Sequence, residues 1–72
     1  MIVYERLRNL REKAKISQSE IAKIIGTSQS YYAQYENGKR AIPFERMVVL
    51  AKYYNVSLDY LAGLIDTPRK LM

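Results

Sequence analysis

The stretch QSEIAKIIGTSQSYYAQYEN, running from Gln18 to Asn37, decides how this chain folds. Just ahead of it stands Ser17, with Glu20 three positions on. In this capping box the hydroxyl accepts from the backbone N–H three residues later, and the carboxylate reaches back to the cap. A helix therefore starts here, puts Ile21, Ala22 and Ile25 on one face, and stops at Gly26, where a residue without Cβ takes the left-handed conformation. Thr27 and Ser28 offer new N-cap oxygens, Gln29 to Glu36 forms a second short helix, and Asn37-Gly38 ends it. Ala22 is small where the two helices must approach, and Gly26 supplies the backbone angle of the turn. Tyr32 and Tyr35 bring the second helix down onto Ile21 and Ile25. Gln29, Ser30, Ala33 and Gln34 are left pointing outward, with Tyr31 beside them.

Upstream, Val3, Leu7, Leu10 and Ala14 recur at helical spacing among Arg6, Arg8, Arg11, Glu12 and Lys13, which predicts an amphipathic helix from roughly Val3 to Lys15. Downstream of the basic turn Lys39-Arg40, Ile42-Pro43-Phe44 places proline where a first helical turn tolerates it. Met47, Leu50, Ala51 and Tyr54 then form the apolar stripe of a helix over Pro43–Tyr54. Ser57 caps a fifth segment with Leu58, Leu61 and Ala62 apolar, ending near Gly63. No stretch keeps the period-two alternation of a strand, and no repeat recurs at a solenoid period. The expected fold is an all-α, compact five-helix domain over residues 1–66 with a helix-turn-helix at about 18–37, followed by a flexible tail at 67–72.

A chain of 72 residues has room for one domain, and one core of this size leaves a thin margin of stability. There is no Cys or His, which removes disulfides, zinc knuckles and His-based acid–base chemistry. Glu45, Asp59 and Asp66 do not pair at a catalytic spacing, and there is no Gly-rich phosphate loop, so neither an enzyme, a metal, a cofactor nor a small-molecule ligand is expected. The longest apolar run, Met47 to Ala51, is far short of the roughly 20 residues that span a membrane. Glu5 and Arg6 precede any apolar stretch, so no secretory signal is expected and the chain reads as cytoplasmic. The formal charge is +5, and residues 1–40 hold eight Lys/Arg against four Asp/Glu. Basicity of this size fits nucleic acid, an anionic membrane surface or an acidic protein without choosing among them.

The outward side chains narrow that choice, because a recognition helix meets base edges with its N-terminal residues. Gln presents a donor and an acceptor together to the N6/N7 edge of adenine, while Tyr31 and Ala33 suit a thymine methyl.

Ser17-Gln-Ser-Glu-Ile-Ala22, Gly26-Thr-Ser28, Tyr35-Glu-Asn-Gly-Lys-Arg40 and Val56-Ser-Leu-Asp-Tyr-Leu61 together resemble the phage repressor/Cro type of helix-turn-helix, the xenobiotic-response-element family, over about residues 3–64. The resemblance implies base reading by Gln29, Ser30, Tyr31 and Gln34, with the two glutamines foremost. It makes Gln18 a residue that clamps a phosphate and braces the recognition helix, and Thr27, Ser28, Asn37, Lys39 and Arg40 further backbone contacts. Arg11 and Glu36 match a pair that bridges the first helix to the end of the third and turns the Arg toward phosphate. Ala22, Gly26, Tyr32, Tyr35 and Glu36 are the structural positions of the motif, and Tyr32 departs from the Ile or Val of many members. The function implied is a transcriptional regulator of bacterial or phage type that binds double-stranded DNA, acting as a repressor and homodimer on a two-fold symmetric operator.

Plainer roles compete at several positions. Tyr32, Tyr35, Tyr54 and Tyr60 fall at core or boundary spacing, which favours packing over base stacking. Arg6, Arg8, Lys13 and Lys15 read as an ordinary solvated face, whereas Lys39 and Arg40 would hang over a DNA backbone. Tyr60, Leu64 and Ile65 lie where an isologous dimer contact would bury them, unless they fold back on the fourth helix. A second function stands beside the first: an antitoxin or adaptor that uses this fold to hold a protein partner. The slender polar residues at 29, 30 and 34, backed by a basic turn, argue for DNA.

Overall fold

Ser17 does what its spacing predicts: its Oγ accepts from the Glu20 N–H at 3.0 Å, and the Glu20 carboxylate accepts from the Ser17 N–H at 3.0 Å. The computed structural model describes residues 3–65 and places five helices in them: α1 (Val3–Lys13), α2 (Gln18–Ile25), α3 (Gln29–Glu36), α4 (Phe44–Tyr54) and α5 (Leu58–Leu61). The proposed tail at 67–72 lies outside the described residues.

Gly26 takes φ 83° and closes α2, with its N–H and that of Thr27 turned back to the last carbonyls of the helix. Ser28, rather than Thr27, then caps α3 by accepting from the Tyr31 N–H. Gly38, at φ 76°, turns the chain out of α3. A Cβ there would also meet the Tyr4 ring at 2.9 Å. Pro43 sits one position earlier than expected, as the N-cap of α4 with extended backbone. That placement suits a residue whose ring fixes φ and whose missing N–H leaves nothing to satisfy.

α1 packs on α3 and α5, α2 on α3 and α4, and α4 on α5. They enclose Leu7, Ile21, Ala22, Ile25, Tyr32, Tyr35, Leu50, Ala51, Val56 and Leu61. Tyr32 and Tyr35 meet edge to face with centroids 6.1 Å apart, so the larger ring at position 32 is accommodated by an aromatic pair in the core.

Two expectations for the first helix are corrected. α1 ends at Lys13, not Lys15, because Lys15 adopts φ 58° and the Ile16 N–H returns to the Arg11 carbonyl. Ala14 is thereby left exposed beyond the helix, and Ile16 joins the edge of the core instead. Arg6, assigned above to a solvated face, is buried. Its guanidinium donates to the carbonyls of Tyr60 and Ile65 at 2.8 and 2.7 Å and lies 4.1 Å from the Tyr60 ring centroid. It ties α1 to the turn after α5, and its charge is met by carbonyl dipoles and a π face.

Candidate nucleic-acid interface

Glu36, the last residue of α3, is almost fully buried and anchors a polar chain that runs out to the surface. Arg11 of α1 donates to its carboxylate from Nε at 2.7 Å and from Nη2 at 3.2 Å, and gives Nη1 to the Ile16 carbonyl. The pair is a two-pronged, charge-assisted contact between helices. Burial opposes a charge on Glu36, but the hydrogen bonds from Arg11 and Gln18 and the Arg11 charge help outweigh it and hold the carboxyl below its ordinary range. In turn the bond to Glu36 keeps Arg11 charged. Burial and the neighbouring Glu36 push the Tyr32 phenol up, so it stays neutral.

A carboxylate only accepts, and this fixes every amide that follows. Gln18 must turn its Nε2 toward Glu36, at 3.1 Å. Its Oε1 then faces outward and accepts from Gln29 Nε2 at 2.7 Å. Gln29, exposed in the first turn of α3, is left with its oxygen and one amide N–H. These are the two groups that complement the N6/N7 edge of adenine. The orientation of an exposed α3 amide is thus set by the Arg11–Glu36 ion pair two side chains away.

Gln34 is different. Its Oε1 accepts from Arg40 Nε at 3.3 Å, so its amide N–H groups are what it offers outward. It is half-buried, as is Ala33, so neither stands as far out as the helical spacing predicts. Ser30 is exposed, and its hydroxyl lies 3.5 Å from that of Ser28. Tyr31 is exposed at the edge of this face and meets Tyr35 edge to face at 5.7 Å.

Gln18, Thr27 and Arg11 are half-buried, whereas Ser28, Asn37, Lys39 and Arg40 are exposed. Of these, Arg11, Gln18, Gln29 and Glu36 form one connected network, and Arg40 joins Gln34 and the Tyr31 ring in a second cluster. Arg46 belongs to that second cluster and sequence reasoning missed it: Nη1 donates to the Tyr35 hydroxyl at 2.8 Å. No local signal marks Arg46, because its partners come from α3 and the turn before it. Tyr60 and Ile65 are half-buried, with the Tyr60 ring resting on Arg6 of α1 and against the core, and Leu64 is 75% exposed. Among the described residues no His/Cys/Asp/Glu group has the arrangement of a metal site, and no helix is long and apolar enough to cross a membrane.

A helix-turn-helix family model matches residues 7–61, from α1 to the end of α5. The chain belongs to that family. It is 41% identical over 64 residues to the uncharacterized HTH-type transcriptional regulator YobD of Bacillus subtilis, covering 89% of this chain and 57% of that one. It is 35% identical over 63 residues to the cryptic phage CTXphi transcriptional repressor RstR of Vibrio cholerae, covering 88% of this chain and 56% of the relative. The chain therefore spans little more than half the length of these curated relatives. Among solved structures it is similar to the P22 c2 repressor in complex with a synthetic operator, with 33% identity, a TM-score of 0.78, and coverage of 85% of this chain and 92% of that one. The likeness to phage repressors expected from residues 17–40 and 56–61, and the all-α repressor-type fold, both hold.

Proposed function

We propose that this helix-turn-helix domain binds double-stranded DNA sequence-specifically and regulates transcription, as a repressor acting by occupancy. α3 enters the major groove; Gln29 reads adenine, Gln34 donates to a base acceptor, and Ser30 contacts a neighbouring base. Gln18, Thr27, Ser28, Asn37, Lys39 and Arg40 hold the flanking backbone, with Arg11 directed toward it by Glu36. The bond from Gln29 to Gln18 carries most weight, because it fixes an exposed amide in the orientation a base edge requires. A module that only held a protein partner would have no physical need for that bracing. The protein acts by binding and carries no reaction.

Two copies, joined through the turn that carries Tyr60, Leu64 and Ile65, would place two α3 helices on half-sites about 34–36 Å apart. Among the described residues Leu64, at 75% exposed, is the large apolar side chain most in need of such cover. The test is selection of bound duplexes from a random pool, followed by titration of the winner over a salt series. A two-fold symmetric consensus bound far more tightly than random DNA is expected. Weak binding without an enriched sequence contradicts it and favours the protein-partner function.

A further inference from the structure

We propose that Arg40 and Arg46, gathered around the ring of Tyr31, form a phosphate-binding pair for the nucleic-acid backbone, with Tyr31 as their support and not a base reader. This rests on the DNA-binding function above and adds to it a residue, Arg46, that neither sequence spacing nor family resemblance assigned.

The guanidinium carbon of Arg40 lies 4.8 Å from the Tyr31 ring centroid and that of Arg46 lies 5.9 Å from it. Both are within the distance at which a ring quadrupole attracts a cation. Each guanidinium is held by further contacts. Arg46 gives Nη1 to the Tyr35 hydroxyl at 2.8 Å and Nη2 to the Gly26 carbonyl at 3.5 Å. Arg40 gives Nε to Gln34 Oε1 at 3.3 Å. Tyr31 is steadied in its turn by its edge-to-face contact with the buried Tyr35.

All these partners are neutral: an amide, a phenol, a carbonyl and a ring. Among the described residues the carboxylate nearest in role, Glu36, is spent on Arg11 and Gln18. Two positive charges therefore converge on one ring with no negative charge against them, beside the exposed start of α3. Such an arrangement repels itself until an anion arrives, and the planar fork of Arg matches phosphate oxygens geometrically. Each guanidinium spends only part of its five N–H donors on the contacts above, so both retain donors for phosphate. Tyr31, flanked by both, has its ring engaged as a platform, which leaves it a poor candidate for probing a thymine methyl.

The decisive experiment is fluorescence anisotropy of wild type, Arg46→Gln, Arg46→Lys, Arg40→Gln, Tyr31→Leu and Tyr31→Phe over a salt series, on the selected duplex and on a random one. Losing one phosphate contact makes the slope of log K against log salt shallower by about 0.9. Arg46→Gln and Arg40→Gln are each expected to show that change on both duplexes; base preference stays unaltered in Arg46→Gln, whereas Arg40→Gln, which also releases the Gln34 amide, is judged by its slope alone. Arg46→Lys keeps the charge and the slope. Tyr31→Leu weakens binding to both duplexes by a similar factor, and Tyr31→Phe, which keeps the ring, matches wild type. An unchanged slope for Arg46→Gln, or a Tyr31→Leu variant that alters preference at one base pair, overturns the proposal. A wild type that selects no sequence would defeat the regulator function, yet the slopes on random DNA would still decide the arginine pair. Failure of wild type to bind either duplex overturns both.

Discussion

The α2–α3 face and the turn after α5 are both exposed, yet they are built in opposite ways. On α3 the outermost amide, Gln29, is connected through Gln18 to a carboxylate that is 2% exposed. Beyond α5 the outermost side chain, Leu64, is 75% exposed and apolar, and what is fixed there is the backbone, through Arg6 and two carbonyls. A surface that discriminates between hydrogen-bonding partners needs its donors and acceptors aimed in advance, since a misaimed buried polar group costs about 1–3 kcal/mol. A surface that only needs apolar area can leave its side chains loose and hold the main chain. The contrast suits one face for reading and the other for pairing with a second copy.

The contrast breaks most severely if the layer beneath α3 is hollowed. Ile21→Ala, at a fully buried position, is expected to cost about 2–5 kcal/mol. In so small a domain that leaves a largely unfolded chain, visible as lost helical circular dichroism at room temperature. A variant that stays folded and as stable as wild type would mean that this layer does not support the reading face.

Next in size is Glu36→Gln, which leaves Arg11 without its charge partner. The expected loss is roughly 3 kcal/mol by urea denaturation, at the low end for a broken buried pair because Arg11 retains access to solvent. The Glu36 carboxyl is held below its ordinary value near 4.5 in the folded state. Its stabilising contribution is therefore fully present above that value and lost as pH falls through the lower, folded one. The melting-temperature gap between wild type and Glu36→Gln should accordingly shrink on acidification below about pH 4.5. A gap that stays constant into acid would show that the charge of Glu36 does not matter.

The smallest expected effect is on the other face. Leu64→Asp should change monomer stability by less than about 0.5 kcal/mol, as surface changes usually do, while abolishing self-association in sedimentation equilibrium. If association is unaffected, the pairing surface lies elsewhere.

The helices and the motif were legible in the sequence because each has a local cause: the Ser17/Glu20 box, the Gly26 stop, the Ser28 and Ser57 caps, and the stripe Leu50-Ala51. The end of α1 was not legible, because Lys15 adopts a left-handed conformation that costs a non-glycine residue about 1–2 kcal/mol and that no residue type announces. Arg6 offered a signal that its polarity concealed. It stands three residues after Val3 and four before Leu10, in the middle of the apolar stripe, and the fold buries it there. At the candidate interface the identities of Gln29 and Gln34 were legible and their difference was not. Which amide atom each one spends internally depends on Gln18 and Arg40, positions related to them only by the fold.

The proposed function has α3 read DNA through those two glutamines. The most direct measurement is the affinity of a Gln29→Ala, Gln34→Ala double variant for the selected duplex and for random DNA, with its melting temperature recorded beside wild type. A folded variant that binds random DNA as wild type does, but has lost on the order of 5–150-fold on the selected duplex for each broken base contact, is the expected result. Unchanged affinity for both duplexes would contradict it.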